Sequence, residues 1–120
     1  MNYLLLLILL AVVFFYLKNR GGDAVSMEEL EQALADKKTV VDVRSWEEYK
    51  SGHIPGAISL PVQDLEKRAK RKLGNFDNEI YLYCQSGARS RRGKQILENM
   101  GYQKVKNFGA ISTWTKKLEK

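Results

Sequence analysis

Cys84 is the only cysteine in a chain of 120 residues, and it heads the run Cys84-Gln85-Ser86-Gly87-Ala88-Arg89-Ser90. The apolar run Ile80-Tyr81-Leu82-Tyr83 precedes it directly. The thiol therefore stands where a buried strand should hand over to a helix, at the mouth of a glycine-bearing loop. Such a turn aims successive backbone N–H groups at one spot, and the helix dipole adds partial positive charge there. A thiol in that setting ionises more readily than its free pKa of ~8.5 allows. Arg89, Arg91 and Arg92 add cations close by. These residue types predict a nucleophilic thiolate facing an anionic substrate. The plainer reading, a buried structural thiol, suits a cysteine in a core better than one ahead of a Gly-Ala-Arg-Ser loop.

Spacing narrows the chemistry. A cysteine-dependent phosphatase wraps a tetrahedral phosphate in a Cys-x5-Arg loop. Here Cys84 and Arg89 stand as Cys-x4-Arg, and Ser90 occupies the x5 position. A ring one residue tighter suits a single sulfur or a small oxyanion better than a phosphate ester. One cysteine excludes an internal disulfide and a Cys-rich zinc site. Sulfur or oxidation at Cys84 must then be resolved by an outside thiol. Neither a metal nor a cofactor is expected.

The elements that position this loop read as alternating helices and strands. Ser26 with Glu29 forms a capping box, which predicts a helix over 27–35 with Leu30 and Leu34 facing inward. Thr39 to Val43 is a β-branched strand. Ser45 with Glu48 is a second capping box, opening a short helix through Trp46 and Tyr49. Gly52-His53-Ile54-Pro55-Gly56 is a turn cluster, where His53 reads as turn chemistry rather than as a base. Ala57 to Leu60 is a short strand, and Pro61 suits the first turn of a helix running to about Leu73. A loop spans 74–78, and 80–83 is the strand that feeds Cys84. Residues 90–100 form a helix with Gly101 as its C-cap. Residues 104–108 form a last strand, and a terminal helix is expected from Ile111 onward. Trp46, Tyr102 and Trp114 read as core or rim aromatics. Tyr81 and Tyr83, on a central strand, should both be covered. The alternation predicts an α/β fold with a largely parallel sheet flanked by helices. Ligands bind beyond the carboxyl ends of strands in such sheets, which is the side where Cys84 falls. Asp42 and Arg44 flank a strand end on that side. They either brace the active loop or form a local ion pair worth ~0–1 kcal/mol if exposed.

On these residues the chain resembles a single-domain rhodanese, over roughly residues 24–116. The loop matches the family's Cys-x-x-Gly-x-Arg-Ser form at Cys84, Gly87, Arg89 and Ser90. Val40-Val41-Asp42-Val43-Arg44 matches its first-strand signature. Glu48-Tyr49, Gly52-His53-Ile54-Pro55-Gly56-Ala57 and Pro61 match a second. Gly101-Tyr102, Val105, Gly109 and Trp114 match the C-terminal one, with Ala110 where the family commonly has a second glycine. The resemblance implies a rhodanese-like fold and a sulfurtransferase. Cys84 would take a sulfane sulfur from a donor such as thiosulfate and pass it, as a persulfide, to a thiol or to cyanide. The loop N–H groups from Gln85 to Ser90, including those of Ser86, Gly87, Ala88 and Arg89, would hold the sulfur. Arg89 either orients the loop or meets the donor's sulfonate. Two other classes compete: a rhodanese-like docking module at a membrane, and a cysteine-dependent phosphatase or arsenate reductase.

The first residues differ in kind. Tyr3 to Leu17 carries no charge, proline or glycine. As a helix this stretch reaches about 22 Å at ~1.5 Å per residue, short of but workable for a hydrocarbon core of ~30 Å. Residues 1–18 are thus expected to form a transmembrane anchor, 19–25 a linker, and 26–120 the rhodanese-like domain. Lys18 and Arg20 place that domain on the cytoplasmic side by the positive-inside rule. A lone free thiol agrees with a reducing compartment. Export by a cleaved signal peptide is the alternative, but no A-x-A pattern follows the apolar run. The net charge is +6. Much of it comes from Lys67, Arg68, Lys70, Arg71 and Lys72, which read as a solvated helix face or as a contact for anionic lipid. Nucleic acid is not expected, because no aromatic residues interleave the run.

Overall fold

The computed structural model of the chain describes residues 3–20 and 25–120, except for the side chains of 17–20. The elements are α1 (Tyr3–Arg20), α2 (Met27–Ala35), β1 (Thr39–Asp42), α3 (Trp46–Ser51), β2 (Ile58–Ser59), α4 (Leu65–Leu73), β3 (Glu79–Cys84), α5 (Ala88–Met100) and β4 (Lys104–Ala110). Single 3-10 turns at Val62–Asp64 and Ile111–Thr113 follow β2 and β4.

The four strands form one parallel sheet in the order β2-β1-β3-β4. Parallel neighbours need crossovers, and helices supply them, so both faces of the sheet are covered. Alternation along the strands sorts the core into two halves. Val41, Leu82, Cys84 and Ile80 pack with Leu65, Ala69 and Leu97 of α4 and α5. Val40, Tyr81 and Tyr83 pack with Leu30 and Ala33 of α2 and with Phe108 and Trp114. Tyr81 and Tyr83 are both buried, as a central strand requires. Gly93 brings α5 close to the sheet, because a Cβ there would lie 3.2 Å from both Leu65 Cδ2 and Leu82 Cδ1.

Both helices are capped where the sequence placed their starts, with the reciprocal box complete at Ser45 and Glu48 and only the Ser26 half present at α2. Ser26 Oγ accepts from Glu29 N–H at 3.1 Å, and Ser45 Oγ accepts from Glu48 N–H at 3.2 Å. The expected terminal helix did not form beyond the turn at Ile111–Thr113. Instead, the last residues run back across the turn that follows α3. Glu119 and His53 exchange backbone hydrogen bonds, with Glu119 accepting at 2.9 Å and donating at 2.8 Å. A helix would have had to give up both bonds and crowd Lys116, Lys117 and Lys120 together.

The amino-terminal segment is helical, and its side chains from Tyr3 to Tyr16 are exposed. Among the described residues, no helix is long and apolar enough to cross a membrane. The transmembrane reading of residues 1–18 therefore finds no support. Of the expected linker, residues 21–24 lie outside the described residues.

Candidate active site

β3 determines where the thiol points. Ile80, Leu82 and Cys84 alternate onto the α5 side of the sheet, so the side chain of Cys84 turns inward beneath the first turn of α5. The chain must then reverse to start α5, and Gly87 makes that reversal at φ +101° as the N-cap. Few residues other than glycine tolerate that conformation. The reversal folds the loop around the sulfur. Gly87 N–H donates to Cys84 Sγ at 3.0 Å and Ser90 N–H at 3.4 Å. Ser90 Oγ lies 3.5 Å from Sγ, and its hydroxyl donates to the Gly87 carbonyl at 3.0 Å.

Cys84 has no exposed surface. Burial alone pushes its thiol pKa up. The contact with the Ser90 hydroxyl and the hydrogen bonds from the N–H groups of Ser90, Gly87 and Ser86 outweigh that, and the net shift is downward. The loop thus favours thiolate through oriented donors in a dry setting.

Arg44 ties three segments to this loop. Its guanidinium forks onto Asp42, donates from Nη2 to the Gly52 carbonyl at 2.7 Å and from Nη1 to Gln85 Oε1 at 3.1 Å. Asp42 is fully buried and Arg44 is 4% exposed. The pair is buried rather than exposed, and Arg44 reaches the loop at Gln85. Tyr83 extends the network: its hydroxyl accepts from Ile54 N–H at 3.0 Å. Burial, with the Asp42 charge beside it, holds the Tyr83 phenol far above its usual range.

Arg89 leaves the sulfur and turns to α3. Its Nη1 and Nη2 donate to Glu48 Oε1 and Oε2 at 2.7 and 2.9 Å. The Arg89 guanidinium holds the Glu48 carboxyl down at about 2. Glu48 also accepts from the backbone N–H of Ser45, closing the capping box. The sequence marks Glu48 as a cap and as part of a family signature, but not as a partner of Arg89. Its partner is 41 positions away, and no local pattern in the sequence signals the pair. Gln85, Ser86 and Ala88 line the outer side of the loop and are exposed, whereas Gly87 and Ser90 are buried. His53 stands outside the sulfur site: its Nδ1 lies 2.9 Å from the Tyr49 carbonyl and its ring stacks on Tyr49 at 3.7 Å. Among the described residues no cluster of His, Cys, Asp and Glu could hold a metal.

A family model described as the rhodanese-like domain matches residues 26–117. The chain belongs to the rhodanese-like family. Within this family it is 32% identical over 111 residues to human thiosulfate:glutathione sulfurtransferase, covering 81% of this chain and 96% of that protein. It is 36% identical over 98 residues to YrkF of Bacillus subtilis, named as a sulfur carrier protein, covering 79% of this chain and 52% of YrkF. The chain thus spans about half of that relative. Among solved structures, the human single-domain sulfurtransferase TSTD1 superposes with a TM-score of 0.68 at 33% identity. That likeness covers 77% of this chain and 94% of TSTD1. The rhodanese-like domain therefore has sulfurtransferases among its relatives, and its parallel sheet with helices on both faces is the architecture the sequence led us to expect.

Proposed function

We propose that this rhodanese-like protein is a sulfurtransferase that carries a sulfane sulfur on Cys84. The observation that carries the reading is the Gly87 N–H donating at 3.0 Å to a fully buried Sγ, with the Ser90 N–H beside it. With thiosulfate, the Cys84 thiolate attacks the outer sulfur. The S–S bond of the donor breaks, its electron pair leaves with sulfite, and Cys84 becomes a persulfide. An outside thiolate then attacks the outer sulfur of that persulfide. The electron pair of the breaking bond returns to Sγ, which restores the thiolate. The loop donors hold negative charge on sulfur in both states, as an oxyanion hole does for oxygen. Asp42 and Arg44 keep the loop in register through Gln85.

The test is intact mass of the full chain after incubation with thiosulfate, before and after a thiol reductant. A gain of one sulfur that the reductant removes, and that Cys84→Ser lacks, is expected. The reversal separates a persulfide from a sulfinic acid of nearly equal mass. No adduct from thiosulfate or from a persulfide donor overturns the reading and favours the docking module.

We further propose that the protein works against the cytoplasmic face of a membrane. α1 exposes apolar side chains around its circumference, and lipid is a solvent that such a surface takes up. Lys67, Arg68, Lys70, Arg71 and Lys72 of α4 have no ion-pair partner among the described residues, so they are available to anionic headgroups. Flotation with anionic vesicles, lost on deleting residues 3–17, tests this. A full chain that does not float with anionic vesicles overturns it, and flotation unchanged by the deletion assigns the contact to α4 alone.

A further inference from the structure

We infer that Glu48 is a positioning residue that sets the charge of the sulfur donor, because it takes both arms of the Arg89 guanidinium and withdraws the loop's one cation from the substrate. The inference rests on the sulfur-transfer reading above. Arg89 is the sole cation in the run from Cys84 to Ser90. Its Nη1 and Nη2 are each held by a separate Glu48 oxygen, at 2.7 and 2.9 Å. The second arginine at the site, Arg44, is likewise matched by Asp42. Two guanidinium groups thus face two carboxylates and cancel within the loop and its brace, while Arg91 and Arg92 are exposed beyond the loop on α5.

The side chains left on the outer side of the loop are neutral: Gln85, Ser86 and Ala88. Gln85 gives its Oε1 to Arg44 at 3.1 Å. Its Nε2 has no partner among the described residues and is free to donate to a ligand. A site with this balance grips a sulfonate dianion poorly, because no unpaired guanidinium within the loop offsets the desolvation of two charges. It suits a donor of lower charge, such as a terminal persulfide, R–S–SH. In that case the Cys84 thiolate attacks the outer sulfur and the R–S bond to it breaks. The electron pair leaves on the R thiolate, and Cys84 carries S–SH. Nothing is oxidised or reduced overall, and no further reactant is needed.

The experiment compares kcat/KM for thiosulfate with kcat/KM for cysteine persulfide, whose amine and carboxylate cancel. Glu48→Gln keeps a cap for Ser45 and frees Arg89. It should raise the thiosulfate-to-persulfide ratio by about tenfold, the worth of one charge-assisted contact. Arg89→Met leaves the Glu48 carboxylate unmatched and should lower the same ratio. A change that merely loosens the loop moves both donors together and leaves the ratio where it was. Equal ratios in the wild type and both variants overturn the inference, and Arg89→Met decides it alone if Glu48→Gln does not fold. A wild type that takes sulfur from neither donor refutes the sulfurtransferase reading itself, an outcome distinct from a fixed ratio in an active enzyme.

Discussion

Arg44 and Asp42, two residues apart at the end of β1, form a forked ion pair in which Nε donates to both carboxylate oxygens at 3.0 Å and Nη2 to Oδ2 at 2.7 Å. The Arg44 backbone N–H also donates to Asp42 Oδ1, at 2.9 Å. The carboxylate therefore does two jobs: it turns the chain at the strand end and neutralises a buried cation.

Removing one partner of such a pair leaves the other charged and dry. Asp42→Ala should lower stability by roughly 3–5 kcal/mol, read as a shift in the urea midpoint. A loss under about 1 kcal/mol would class the pair with exposed ones.

Ser90→Ala removes a hydroxyl that lies 3.5 Å from Sγ while keeping the N–H. The Cys84 thiol pKa should rise, because one of the contacts that lowers it is gone. Iodoacetamide alkylation followed against pH should show the midpoint moving to higher pH and the rate at neutral pH falling several-fold. An unmoved midpoint would assign the effect to the backbone donors alone.

The Glu48–Arg89 clamp predicts acid sensitivity of definite sign. The Glu48 carboxyl is lowered from 4.5 to about 2 by Arg89 in the folded chain. Between those values the unfolded chain binds more protons, so the stability the clamp supplies is fully present above 4.5 and drains away as pH falls towards 2. The side chains of Arg89 and Glu48 are 39% and 33% exposed, which limits the contribution to about 1 kcal/mol. The gap in urea midpoint between wild type and Glu48→Gln should close over that window and stay constant from pH 5 to pH 7.

Gly93→Ala tests the seating of α5 on the sheet. The added methyl lies 3.2 Å from Leu65 Cδ2 and Leu82 Cδ1, with Val43 Cγ1 at 3.7 Å behind them. Overpacking of about 1–3 kcal/mol outweighs a helix-propensity gain of up to ~1 kcal/mol. A thermal midpoint below that of the wild type is expected, and a higher one would mean the leucines give way freely.

The sequence made the order of elements and the setting of Cys84 legible because both are local. Period-two alternation on β3, two capping boxes and one glycine place the sulfur without reference to distant residues. The roles of Asp42, Arg44, Arg89 and Glu48 depend on pairs that close only in three dimensions. Arg44 meets Gln85 and Arg89 meets Glu48 across 41 positions each. No periodicity encodes that, so Arg89 could be read as a substrate contact with equal ease. The terminal helix misled for a related reason. Residues 111–120 have adequate local propensity, but the backbone of His53 competes for Glu119 and wins.

The sheet contains no hairpin: every strand pairs in parallel, and Cys84 pairs with Ala110 on β4. Each of those contacts spans a crossover, so none can form early from sequence neighbours. During synthesis β4 emerges after Cys84 has already left the ribosome. Until the sheet and the loop it carries have folded, the cysteine is an ordinary thiol, mostly protonated at neutral pH. Reactivity at this one atom is therefore a property of the completed chain. A nascent or misfolded copy carries the nucleophile chemically silent, and a thiolate-selective label would report finished molecules only.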